Sequence, residues 1–239
     1  MYIDTEVILV AIVIGILLLF SIMGYIKGSV KILVSVGSLI LSLLLVFIIY
    51  PTATAMFSET KLYSTVEEKV GEYVEDNLKL NKLTEIEQTG IEAQQNIIDD
   101  MPIPKGLAEK LKDNNNETMY KELGVDNFES YVKAYMVKEM MKIISFAIVF
   151  VVVHILIVVL AVLTKIATKL PGVEFADRTL GVIIGLAEGY VFILIFCIII
   201  TAFSGVSGME PIFDAIHKNK ILNTIYENNV LMTLILKVM

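Results

Sequence analysis

Apolar and polar residues are unevenly distributed along this chain. Residues 7–26 and 32–58 contain no charged side chain, nor do residues 143–164, and the run 179–209 is interrupted only by Glu188. A helix rises about 1.5 Å per residue, so about 20 apolar residues cross a hydrocarbon core roughly 30 Å thick. The pattern predicts an all-α, polytopic membrane fold with four transmembrane helices at about 7–24, 32–50, 143–163 and 180–203. Four regions follow: hairpin 1 (1–50), a segment 51–141, hairpin 2 (142–204) and a tail 205–239.

The regions between and after the hairpins carry helical periodicity of a different kind. Leu62, Val66, Val70, Val74 and Leu78 recur every fourth residue among acids, which predicts an amphipathic helix. MPIPKGLAEKLKDNNN reads as a proline-led short helix with an asparagine stop, and FESYVKAYMVKEMMKIISF runs helically into the third span. In the tail, Pro211 suits a first turn, and Ile212, Phe213, Ile216, Ile221, Leu222 and Ile225 suggest broken amphipathic helices. Packing of these small helices on one another is favoured over a lipid-binding role.

Composition sharpens this picture. The chain is 56% hydrophobic and 19% charged, and its mean hydropathy is +0.75. The leading residues MYIDTE are acidic and lack Lys or Arg, unlike the basic start of a secretory signal, so the first span is expected to be retained. The turn between the first two spans carries Lys27 and Lys31 without an acid, and the turn between the last two carries Lys165, Lys169 and Arg178 against Glu174 and Asp177. Segment 51–141 holds 10 Lys against 18 Asp or Glu, a net of −8. Short basic turns stay in the cytoplasm. The N-terminus, the acidic segment and the tail are then extracytoplasmic. The two hairpins insert in the same sense, a faint likeness to a parallel duplication.

Chemistry-bearing patterns are sparse. There is one cysteine, Cys197, and two histidines, His154 and His217, without metal-ligand spacing. No phosphate loop, dinucleotide fingerprint or nucleophile elbow occurs. The expectation is a protein that is not an enzyme and has no cofactor or metal. The basic residues are few and sit at membrane corners, which argues against nucleic acid as a partner.

Small residues suggest where the spans meet. Gly181, Gly185 and Gly189 form a strip on the fourth span, and Gly28, Lys31, Ser35, Ser38 and Ser42 form a line on the second. In lipid, close backbone approach through small residues favours helix association. The strip serves packing within one bundle, or else the seam of a homo-oligomer or a contact with another membrane protein. Glu188 shares the glycine face, and His154 shares a face with Ala147 and Ala161. Counted from Arg178 and Lys165, the two lie at similar depth, so His154 and Glu188 are expected to pair near mid-membrane. Such a pair either fixes helix register or works by protonation.

With these residues in view, the chain resembles the colicin V production (CvpA) family of bacterial inner-membrane proteins. The resemblance rests on the corner KGSVK at 27–31 and on Asp177, Arg178, Leu180, Gly181, Gly185 and Gly189, which match the family's D-R-x-L-G-x-x-x-G-x-x-x-G pattern. It implies a multi-pass protein of the bacterial plasma membrane, required for production or export of a peptide bacteriocin and without known catalytic activity. At Glu188 the chain departs from members that carry a basic residue. The resemblance also gives Asp177-Arg178 a place at the cytoplasmic corner, capping and anchoring the fourth span, with Arg178 equally an ordinary positive-inside anchor. The leading functional expectation is a non-catalytic component supporting toxin-peptide production or envelope function. Two alternatives stand beside it: a small transporter or channel subunit using His154 and Glu188, and an anchor whose acidic segment recruits an extracellular partner.

Overall fold

The computed structural model describes residues 4–79, 90–101, 103–163, 176–203 and 209–237, and every regular element among them is an α-helix. Four are long and apolar enough to cross a membrane: α1 (Thr5–Lys27), α2 (Ser29–Phe57), α7 (Phe128–Leu163) and α8 (Ala176–Thr201). The rest are shorter: α3 (Lys61–Lys79), α4 (Ile91–Asp100), α5 (Lys105–Asp113), α6 (Glu117–Leu123), α9 (Glu210–Lys218), α10 (Lys220–Glu227) and α11 (Val230–Lys237).

Local chemistry sets the boundaries. Asp4 caps α1 by accepting from the Glu6 amide. Gly28 alone separates α1 from α2, with φ 76°. Only glycine takes that backbone without strain, and it lets the chain reverse in a single residue. Helix α2 passes Pro51 and continues to Phe57, beyond the end at 50 that hydropathy suggests. Asn116 and Asn219 cap α6 and α10 through their side-chain oxygens, and Gly124 ends α6 in the left-handed region.

The hairpins do not pack as hairpins. The main contacts run between α1 and α8 and between α2 and α7, both antiparallel, while the parallel helices α2 and α8 meet in the middle. Across the bundle the order is α1, α8, α2, α7. The second helix of each hairpin is thus central. That is the helix rich in small residues, and small residues are what a helix flanked on two sides needs.

Helix α7 has 36 residues, about 54 Å of helix, which exceeds any bilayer core. Its first turns rise beyond the span and carry the acidic segment. Val66, Val70 and Val74 of α3 are buried, as the every-fourth-residue pattern requires, and α3 packs along α7. Phe128, Tyr131, Val132 and Tyr135 of α7 join Leu107 and Leu111 of α5 in the same core. The tail packs onto the spans as well as onto itself. Helix α9 lies on α1, and α11 reaches α8, α5 and α7. Asn229 donates to the Leu194 carbonyl of α8 while accepting from the amides of Leu231 and Met232, so one side chain starts α11 and ties it to the bundle. Helices α4, α6 and α11 were not anticipated from the sequence.

Candidate functional site

The glycine strip of α8 faces α1. A Cβ placed on Gly181 would collide with the Gly24 carbonyl, and one on Gly185 with the Phe20 carbonyl. At Gly189 the added carbon would lie 3.1 Å from the Phe20 Cβ. The strip is therefore used within the chain. Its partner on α1 is Gly24, four residues before Gly28, a small-xxx-small signal that sequence reasoning passed over.

Glu188 lies beside this ridge, turned toward α2. It is 3% exposed, and the Ser35 hydroxyl donates to its Oε1 at 2.5 Å. The other oxygen, Oε2, is buried and has no hydrogen-bond partner among the described residues. His154 of α7 also faces α2, and its Nδ1 is 2.9 Å from the Ser42 hydroxyl. Ser42 gives its one hydrogen to the Ser38 carbonyl, so Nδ1 carries the proton and donates to Ser42. Ser38 returns its own hydroxyl to the Val34 carbonyl.

The expected pair of His154 and Glu188 does not form. Each is held by a different serine of α2, and Ser35 and Ser42 stand seven residues, about 10 Å, apart along that helix. The place beside His154 is taken by Phe192, one turn beyond Glu188, whose ring meets the imidazole at 5.6 Å and stacks on Phe20 at 4.9 Å. Counting residues from the basic turn misjudged the relative register of α7 and α8 by about one turn, since Phe192 and not Glu188 meets the imidazole. Ser35, Ser38 and Ser42 all take part in bonds, and α2 is the common partner of both ionisable groups.

At the turn end of the bundle, Lys27, Lys31 and Arg178 are exposed. The Arg178 guanidinium lies 5.7 Å from the centroid of the Tyr25 ring, a cation–π contact that joins α8 to α1. Asp177 falls in the first turn of α8, and its side chain is outside the described residues. Lys165, Lys169 and Glu174 are outside them too.

A second charged pair was not foreseen. Lys142 donates to Glu139 at 2.6 Å, three residues apart on α7, with side chains only 10% and 2% exposed. Glu139 Oε2 and the Tyr50 hydroxyl are buried nearby without hydrogen-bond partners among the described residues. The two charges sit one turn apart in sequence, which reads as an ordinary exposed helix pair. Only the packing of other helices onto α7 buries it.

No curated protein and no solved structure matches the chain. Residues 121–228, from the end of α6 through α10, match the family described as Colicin V production protein. That stretch contains the Asp177-to-Gly189 pattern and does not reach the Lys27–Lys31 corner. With four helices able to cross a membrane and a glycine ridge joining the last of them to the first, the chain is a multi-pass membrane protein that resembles the colicin V production family.

Proposed function

We propose that the protein is a non-catalytic assembly component of the bacterial cell membrane, supporting production of a toxin peptide or a related envelope process. The observation that carries this reading is the close packing of α8 against α1 along the glycine strip. The helices touch backbone to backbone along Gly181 and Gly185, and the hydroxyls of Ser35 and Ser42 tie α2 to Glu188 and His154. A cavity of about 520 Å³ is present, yet Ser35, Ser38, Ser42, His154 and Glu188 all lie outside its lining. In this reading the basic turns face the cytoplasm, and α3–α6 and α9–α11 form an extracytoplasmic cap. In-membrane crosslinking from the cap, followed by identification of captured proteins, tests it. Recovery of the same envelope partner from several cap positions is the expected result, and reporter fusions should place Lys27 and Arg178 inside.

One observation favours a second reading, a small transporter or channel subunit. The buried Glu188 Oε2 lacks a partner, and a carboxylate at that depth is a common part of ion and proton paths. Proteoliposomes that dissipate a pH gradient, and lose that ability with Glu188→Gln, would decide for this reading over the first.

A further inference from the structure

The 520 Å³ cavity is a groove between α3, α7 and the end of α8, within the range of about 300–1,000 Å³ typical of small-molecule sites. Its walls are apolar. Val66 and Val70 line it from α3, Ala147 and Val151 from α7, and Ile199 and Phe203 from α8. Polar groups occur only on the α3 side, where Thr65 and Lys69 stand at the rim.

Position identifies the occupant. The α7 wall includes Ile148, Val151 and Val152, which are 40–52% exposed, and one turn further on the helix presents Ile155, Leu156 and Val159 outward. In a spanning helix, outward apolar side chains face acyl chains. The groove therefore opens onto hydrocarbon at one end and meets the polar cap at the other. An extended apolar peptide would have to bring unpaired backbone amides into that hydrocarbon, and a helical one, about 10 Å across, is wider than a groove of this volume; an acyl chain meets neither obstacle.

The rim has its own charge pattern. Lys69 donates to Glu72 at 2.7 Å, and Glu68 adjoins it in sequence. A cation flanked by two acids matches a headgroup that carries a phosphate and an amine together better than one that is purely anionic. We propose that the groove between α3 and α7 holds one zwitterionic, amine-bearing phospholipid, its acyl chain lying along Ala147 and Val151 and its headgroup at Lys69 and Glu72. The lipid fixes α3 against the span and sets the cap at the membrane surface.

The test uses the full chain purified from membranes of phosphatidylethanolamine and phosphatidylglycerol and examined by native mass spectrometry. One retained phosphatidylethanolamine per chain is expected. Ala147→Phe and Val151→Phe, which fill the groove, should lower its occupancy by roughly tenfold or more, the equivalent of one or two methylenes losing their burial. Ile155→Phe, on the outward face beyond the groove, should leave it unchanged. Because the chain contains no tryptophan, Phe203→Trp, which exchanges one aromatic ring of the groove wall for another, gives an independent reading. Its quenching by brominated phosphatidylethanolamine should persist through a chase of unbrominated lipid that reverses quenching of Ile155→Trp. The proposal is overturned by equal chase rates at the two positions, by an adduct that survives both filling variants, or by phosphatidylglycerol taking the site in preference. A copurifying peptide or a second copy of the chain in place of the lipid overturns it as well.

Discussion

Gly24 of α1 and Gly181 of α8 sit with each α-carbon against the other's carbonyl, so that a Cβ on either would run into the opposite backbone. Gly24→Ala or Gly181→Ala must push the helices apart and is expected to cost about 1–3 kcal/mol, the usual range for overpacking. Gly15→Ala and Gly37→Ala are the controls, since an added carbon there meets nothing within 4 Å. Unfolding of the purified variants in detergent, followed by circular dichroism, should separate the two groups.

The serines of α2 make a different prediction. Ser35→Ala removes the one donor to Glu188 among the described residues and leaves the carboxyl buried without it, a loss of about 1–3 kcal/mol. A double-mutant cycle between Ser35 and Glu188 should therefore show clear coupling. The cycle between His154 and Glu188, which share no partner, should be additive within about 0.5 kcal/mol. Strong coupling there would restore the direct pair that the structure removes.

Glu139 and Lys142 should behave as a buried pair. Removing one partner, by Glu139→Ala or Lys142→Met, strands the other charge and is expected to cost about 3–5 kcal/mol. Replacing both with Met should cost less than either single change. Thermal unfolding of the three variants checks the order.

Alkaline pH should loosen the cap. Burial pushes the phenol of Tyr226 well above its usual range, and Tyr73 is raised for the same reason. Thr201 gives its hydrogen to the Cys197 carbonyl, so Tyr226 donates to Thr201 and must keep its proton to do so. Its stabilising contribution is complete below the unfolded value of about 10 and is lost as pH rises above that. Titration of tyrosinate absorbance alongside unfolding should show cap opening above that pH, and Tyr226→Phe should flatten the dependence.

Hydropathy by itself determined the four membrane helices, because a run of about 20 apolar residues has few other ways to satisfy its backbone. The every-fourth-residue pattern of Val66, Val70 and Val74 likewise determined α3 and its buried face. The strip Gly181, Gly185, Gly189 was legible as a contact surface, since glycines four apart share one helix face and let a second backbone approach closely. What faces that strip was not legible: four packed spans admit several neighbour orders, and only the tertiary structure sets α1 against α8 and α2 between Glu188 and His154. Neighbour order depends on how side chains of four helices interlock together, and residue spacing along one helix carries no record of it. The same reason hid the burial of Glu139 and Lys142 and the groove under α3, both made by surfaces far apart in sequence.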